Sequence, residues 1–255
     1  MSDSADLDGR LLQRARAFAD ELTGLVRGVV QAPCDPFHAI AVRGQREVIS
    51  IRQEPATGIS LTVEGDPLLN LVVTYRCAMD TTGDYLMVEG SSFDIYAGDR
   101  ARGEPLFRYD FVHDAFPGVP AAHIQVHGHR DALAAVMVRA GSASRRGRRR
   151  ASELGRGASI PHMSELHFPV GGTRFRPCLE DVLEVLVEEL GVDRREGWSA
   201  ALREGRQRWR HRQARTVVRD APADAVDILR QLGYEVSWPH DSPEPEGTPH
   251  RLWAL

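Results

Sequence analysis

Three histidines, His123, His127 and His129, stand in the stretch AAHIQVHGHR. A β-strand sends alternate side chains to opposite faces, so an extended segment places His123, Gln125, His127 and His129 on one side. Imidazoles aligned in this way can ligate a metal, move protons or simply meet water. For proton transfer on a phosphodiester, one histidine takes the proton of a ribose 2′-hydroxyl and a second protonates the leaving oxygen. An arginine or tyrosine then stabilises charge in the transition state. For metal binding, His127 and His129 begin a site that needs a further histidine or carboxylate. His123, Asp110, His113, His162 and His167 are the available ones, and such a set with open positions suits Zn, Mn or Fe(II).

The preceding segment FRYDFVH supplies Arg108, Tyr109, Asp110 and His113. If it pairs with the histidine strand as a hairpin, side chains directly opposite one another come within about 5 Å. Alternation puts Phe107, Tyr109, Phe111 and His113 on one side and Arg108 and Asp110 on the other. Only one set can face the histidines, and the pattern leaves that choice open.

The whole stretch LFRYDFVHDAFPGVPAAHIQVHGHR resembles the arginine-tyrosine-aspartate, histidine and histidine-x-histidine run of TumE-type toxins of prokaryotic toxin–antitoxin systems. The match covers 25 residues, about a tenth of the chain. The resemblance implies a nuclease-like protein with Arg108, Tyr109, Asp110, His113, His127 and His129 at its site, and a protein partner such as an antitoxin. Elsewhere, LHFPVGGTRFRPCLEDVLE resembles an actinobacterial family with no assigned function.

All 32 basic residues are arginine, and lysine is absent, which excludes Schiff-base and P-loop lysine chemistry. Charge is unevenly spread: residues 1–129 carry 11 arginines against 18 acids, residues 130–219 carry 19 against 11, and residues 220–255 carry 2 against 7. The basic middle is where a polyanion would bind. Arg145, Arg146, Arg148, Arg149 and Arg150 form one cluster, and Arg206, Arg208, Arg210 and Arg212 surround Trp209 in a second. Guanidinium forks match phosphate oxygens, so both are candidate nucleic-acid contacts, with RNA the expected ligand. In GGTRFRP, Gly171 and Gly172 with Arg174 and Arg176 precede a helix, a place where backbone N–H groups can hold an anion.

The elements that must position these groups follow from periodicity. Leu7, Leu11, Ala15, Phe18, Leu22, Leu25 and Val29 predict an amphipathic helix over about 6–30. EVISIRQ, ISLTVEG, LNLVVTYRCAM, DYLMVEGSSFDIYAG, PLFRYDFVH and AHIQVHG then read as strands joined by short turns, which favours an antiparallel meander. DALAAVMVRAG fits either a short helix or a strand. The Arg-rich 141–160 reads as a flexible linker. Helices are expected over 179–190, over roughly 197–218, and from an Asp220 cap to Gly233, followed by a last strand at YEVSW and a loose tail.

The expected fold is α+β, a mostly antiparallel sheet of five to seven strands with an N-terminal helix and a C-terminal helical group. Its expected parts are 1–140, the linker 141–160, a helical 161–240 and the tail 241–255. Three unpaired cysteines, an acidic N-terminus without an apolar signal and no run long enough to span a membrane predict a cytoplasmic protein. The leading reading is an RNA-directed nuclease-like protein, a toxin or defence component. The alternatives are a non-catalytic module binding nucleic acid or protein through its arginines, and a cupin-like metalloenzyme holding a divalent ion at His127 and His129. The sequence leaves open whether the protein is an enzyme.

Overall fold

The computed structural model describes residues 2–42, 48–80, 85–116, 119–128, 145–238 and 246–253. Helix α1 (Ser2–Val29) opens the chain. Its stripe of Leu11, Ala15, Ala19, Leu22, Val26 and Val29 is buried, and the spacing of three and four residues is why this segment is a helix rather than a strand. Seven strands follow: β1 (Phe37–Val42), β2 (Val48–Gln53), β3 (Ile59–Val63), β4 (Asp66–Met79), β5 (Leu86–Ala97), β6 (Phe107–Val112) and β7 (Ala122–Val126). A two-residue strand, β8 (Phe168–Pro169), completes an antiparallel sheet of eight in the order β1-β2-β4-β5-β6-β7-β8, with β3 also on β4. The expected α+β architecture is present, with one strand more than the upper count; β1 and β8 are the strands the pattern did not reveal.

The 14-residue β4 is the keel of the sheet. Along one edge it takes β3 beside Asp66–Leu71 and β2 beside Tyr75–Cys77; along the other it pairs with β5 from Leu69 to Met79. The β3–β4 hairpin turns through Glu64 and Gly65, both at positive φ (54° and 88°), the two-residue geometry whose twist matches that of paired strands. Both turn N–H groups donate to the Asp193 carboxylate, at 3.0 and 2.9 Å.

The second half of the chain supplies α2 (Arg145–Gly155), a 3-10 turn (Met163–Glu165), the short α3 (Gly172–Phe175), α4 (Leu179–Glu188), α5 (Trp198–Asp220), α6 (Pro222–Gln231) and α7 (His250–Trp253). In α4, Leu179, Val182, Leu183, Leu186 and Val187 are buried and join one core with α1, with Leu202 of α5 and with the inner face of the sheet, from Ile49 and Ile51 across Leu71, Val73 and Tyr75 to Phe93 and Ile95. The β-rich and helical parts therefore share a single apolar interior.

Several expectations are corrected. The segment expected to be a flexible linker is helical from Arg145 to Gly155, held by Arg149 3.3 Å from Glu153 one turn on and by the buried Arg150. Asp220 does not cap α6: it is the last residue of α5, and its buried carboxylate binds Arg174 and Thr248. YEVSW forms no strand, and the tail is anchored where Thr248 donates to Asp220 at 2.6 Å. The segment 131–141, read as helix or strand, lies outside the described residues. Cys34, Cys77 and Cys178 are free and buried, as small apolar residues would be.

Candidate functional site

Pairing between β6 and β7 decides which side chains meet. Arg108 lies opposite Gln125 and Asp110 opposite His123, while Tyr109 faces Ile124 and Phe111 faces Ala122. Arg108 and Asp110 thus share the outer face with the histidines. Tyr109 turns to the inner face, where it packs against the core with its ring centroid 6.2 Å from that of Phe107, and burial raises its hydroxyl pKa. His113 follows the end of β6 and pairs with Asp114 at 2.9 Å. Neither belongs to the histidine cluster, because strand alternation sends them to the other side.

The neighbouring β5 extends the polar face: Ser92 lies opposite Asp110 and Asp94 opposite Arg108. A row Asp94–Arg108–Gln125 therefore crosses three strands, beside a second row Ser92–Asp110–His123. His127, two residues beyond Gln125, continues the ladder by donating its backbone N–H to Leu106 at 2.8 Å.

The residues after α2 cover the upper part of this face. Gln125 is the hub. Arg108 Nε can only donate, and it reaches Gln125 Oε1 at 2.6 Å, which fixes the amide orientation. Gln125 Nε2 then donates to the Ser164 carbonyl and to His167 Nε2, both at 2.9 Å. His167 Nδ1 faces the Glu165 carbonyl at 3.2 Å and His123 Nδ1 faces the Pro120 carbonyl at 2.9 Å, so in both rings Nδ1 carries a proton. The two rings lie 4.6 Å apart, centroid to centroid. His123 Nε2 stands 3.7 Å from Asp110 Oδ2, and Arg108 Nε lies 2.8 Å from the same oxygen. Arg150 clamps the covering segment, donating to the side chain and the carbonyl of Glu165, each at 2.9 Å. His162 gives its backbone N–H to Glu165 Oε1 at 3.0 Å. With 4% and 6% of their surfaces exposed, His123 and Gln125 are interior residues.

The lower end of the face differs. Among the described residues, both ring nitrogens of His127 are buried without a hydrogen bond; Glu104 Oε1 lies 3.3 Å from Nδ1 but is poorly aligned. Burial raises the pKa of the Asp94 carboxyl; a hydrogen bond from Ser92 opposes the rise, nearby Asp110 adds to it, and Arg108 and His127 offset it. Arg108 spends only Nε on Gln125 and Asp110. Its terminal nitrogens make no ion pair or hydrogen bond among the described residues, and its side chain is 39% exposed.

His129 lies outside the described residues, as do the side chains of Arg145 and Arg146. Among the described residues no three His, Cys, Asp or Glu side chains converge as a metal cage would require. The arginine clusters are largely consumed within the molecule. Arg150 is buried on Glu165. Arg206 bridges Asp181 at 2.8 Å and Glu184 at 2.6 Å, Arg210 approaches Asp181 at 3.6 Å, and Arg212 binds Glu21 at 2.7 Å. Arg148, Arg149 and Arg208 remain exposed. The expected anion site at GGTRFRP is also spent: Arg174 pairs with Asp220, and Arg176 is buried with its guanidinium 3.7 Å from the Phe111 ring centroid and 4.9 Å from that of Trp209. Burial brings the Arg176 pKa down to about 10.

Asp94, Glu104 and Glu165 were not singled out from the sequence, and Gln125 was placed on the histidine face without a role. A signal existed for Asp94, an acid in mid-strand in SSFDIYA, where an unpaired carboxylate is costly. Comparison with known proteins gives no match: no family model, no curated protein and no solved structure is significantly similar to this chain.

Proposed function

We propose that the chain is a nuclease-like, RNA-directed protein in which His127 is the acid–base group and Arg108 the phosphate contact. The observation that carries this reading is the imidazole of His127, buried with both ring nitrogens unsatisfied. Orphaned buried polar atoms are rare in folded proteins, and a substrate group is one of the few things that satisfies them. A 2′-hydroxyl placed there would donate to one ring nitrogen, which is the first step of transesterification at the adjacent phosphorus. The terminal nitrogens of Arg108, two positions away on the neighbouring strand and without a hydrogen bond among the described residues, suit the phosphate oxygens on which charge develops. Asp94, with its pKa raised by burial, is the group able to return a proton to the leaving oxygen. A role as a toxin or defence component accords with this chemistry.

The test is cleavage of fluorescently labelled single-stranded and hairpin RNA by the purified protein, with and without divalent ions. The wild type cleaves, and His127→Ala lowers the rate by roughly 10²–10⁴-fold with an unchanged unfolding midpoint. An inert wild type under both conditions, or an undiminished variant, overturns the reading.

A further inference from the structure

On the far side of the sheet, away from the histidines, a cavity of about 30 Å³ opens between α1 and α5 over β4, with room for about two water molecules. Its buried polar groups are Glu180, in the first turn of α4 and only 8% exposed, and the Trp209 indole, whose Nε1 has no hydrogen-bond partner among the described residues. A buried carboxylate normally pairs with a cation or a strong donor; among the described residues this one has only the weak Cys178 thiol. Capping of α4 falls to Asp181, which accepts the Cys178 N–H at 3.0 Å. Arg206 goes to Asp181 and Glu184. Among the described residues no nitrogen or hydroxyl hydrogen-bonds Glu180; its polar neighbour is the Cys178 thiol.

Its other surroundings are aromatic: Phe18, Tyr75 and Trp209 line the same cavity. Tyr75 senses the carboxylate, because burial and then the Glu180 charge raise its hydroxyl pKa well above the usual value. Space for the carboxylate is written into α5. A Cβ on Gly205 would come within 2.4 Å of Glu180 Oε1, so the glycine, unfavourable in mid-helix, leaves room for the carboxylate in its present position.

We propose that this cavity binds a small organic ammonium cation, the terminal group of a primary amine. An interior carboxylate supplies the counter-charge, and aromatic rings favour a cation through their quadrupoles. The chain has no lysine of its own to fill the place. At the mouth, Arg212 is neutralised by Glu21, while exposed Arg208 lines the rim and selects for slim ligands or for amines bearing an acidic tail.

Methylammonium chloride is the probe, measured by saturation-transfer NMR and by thermal unfolding against sodium chloride at equal ionic strength. The wild type shows saturation transfer, and at a hundredfold excess over Kd its Tm rises by about 5–10 °C. Glu180→Gln loses at least tenfold in affinity. Methanol, of the same size but neutral, gives no signal in the wild type, which keeps the test decisive should the variant fail to fold. Absence of transfer from methylammonium, equal response to methanol, or unimpaired binding by folded Glu180→Gln overturns the proposal and leaves a cavity holding water alone.

Discussion

His123 and His127 stand on the same face of one strand and have opposite circumstances. Around His123 the ring is held by a carbonyl, set at a tilt against His167 and flanked by the Gln125 hub, all beneath the segment that Arg150 clamps. Around His127, among the described residues, the ion-pair partner is Glu104, which is 74% exposed and not aligned to hydrogen-bond. Identical side chains with identical spacing thus differ because of what covers them. His167, in the covering segment, lies against the one ring, and among the described residues no group hydrogen-bonds the other. A histidine fully occupied by its own protein is structural; one left wanting is where a ligand contributes most.

Four substitutions would break or sharpen that contrast. Gln125→Leu removes the hub, taking one hydrogen bond each from Arg108 Nε, the Ser164 carbonyl and His167 Nε2. A loss of about 2–4 kcal/mol in urea unfolding is expected, and a loss under 1 kcal/mol would mean that the network holds little. Arg150→Ala unclamps the covering segment and leaves the partly buried Glu165 without its cation, at a cost of about 2 kcal/mol. Hydrogen exchange at residues 162–169 should quicken in the same variant. Asp94→Asn works in the opposite direction. Burial lifts the Asp94 pKa above 3.8, so the folded state holds the proton more tightly than the unfolded one. The stability this contributes is complete below pH 3.8 and is lost as pH rises through the folded value. The asparagine variant should therefore be the more stable near neutrality, with the gain vanishing in acid; the difference in Tm between pH 3 and pH 7 measures it. His127→Leu is expected to move stability by no more than about 1 kcal/mol, since it replaces an unsatisfied ring by an apolar group of similar bulk. The same change at His123 has no such latitude.

The fold class was legible because both periods were strong. The three- and four-residue spacing in α1 and α4 and the alternation through Leu71, Val73 and Tyr75 can be satisfied by only one kind of element each. Strand β1 was missed because FHAIAV carries a single fully buried side chain, Phe37, and so resembles a loop. The Arg-rich helix was missed because its burial is made by an arginine, Arg150, whose partner Glu165 lies 15 residues on. For the site, the common face of Arg108 and Asp110 with the histidines required the β6–β7 register, which depends on how residues 113–121 turn. The consumption of Arg206, Arg210 and Arg212 by α4 and α1 required tertiary contacts that no local spacing encodes.

The shared interior has a consequence for how the chain is made. Strands β1 to β7 leave the ribosome well before Leu202 and the apolar stripe of α4, which share one core with Ile51, Leu71 and Phe93. At ordinary rates of translation the roughly 80 intervening residues take about 4–16 s, during which the part of the sheet's apolar side that α1 leaves bare meets solvent or a chaperone. Messages truncated in that interval should yield insoluble fragments, and the missing helical piece, supplied separately, should rescue them.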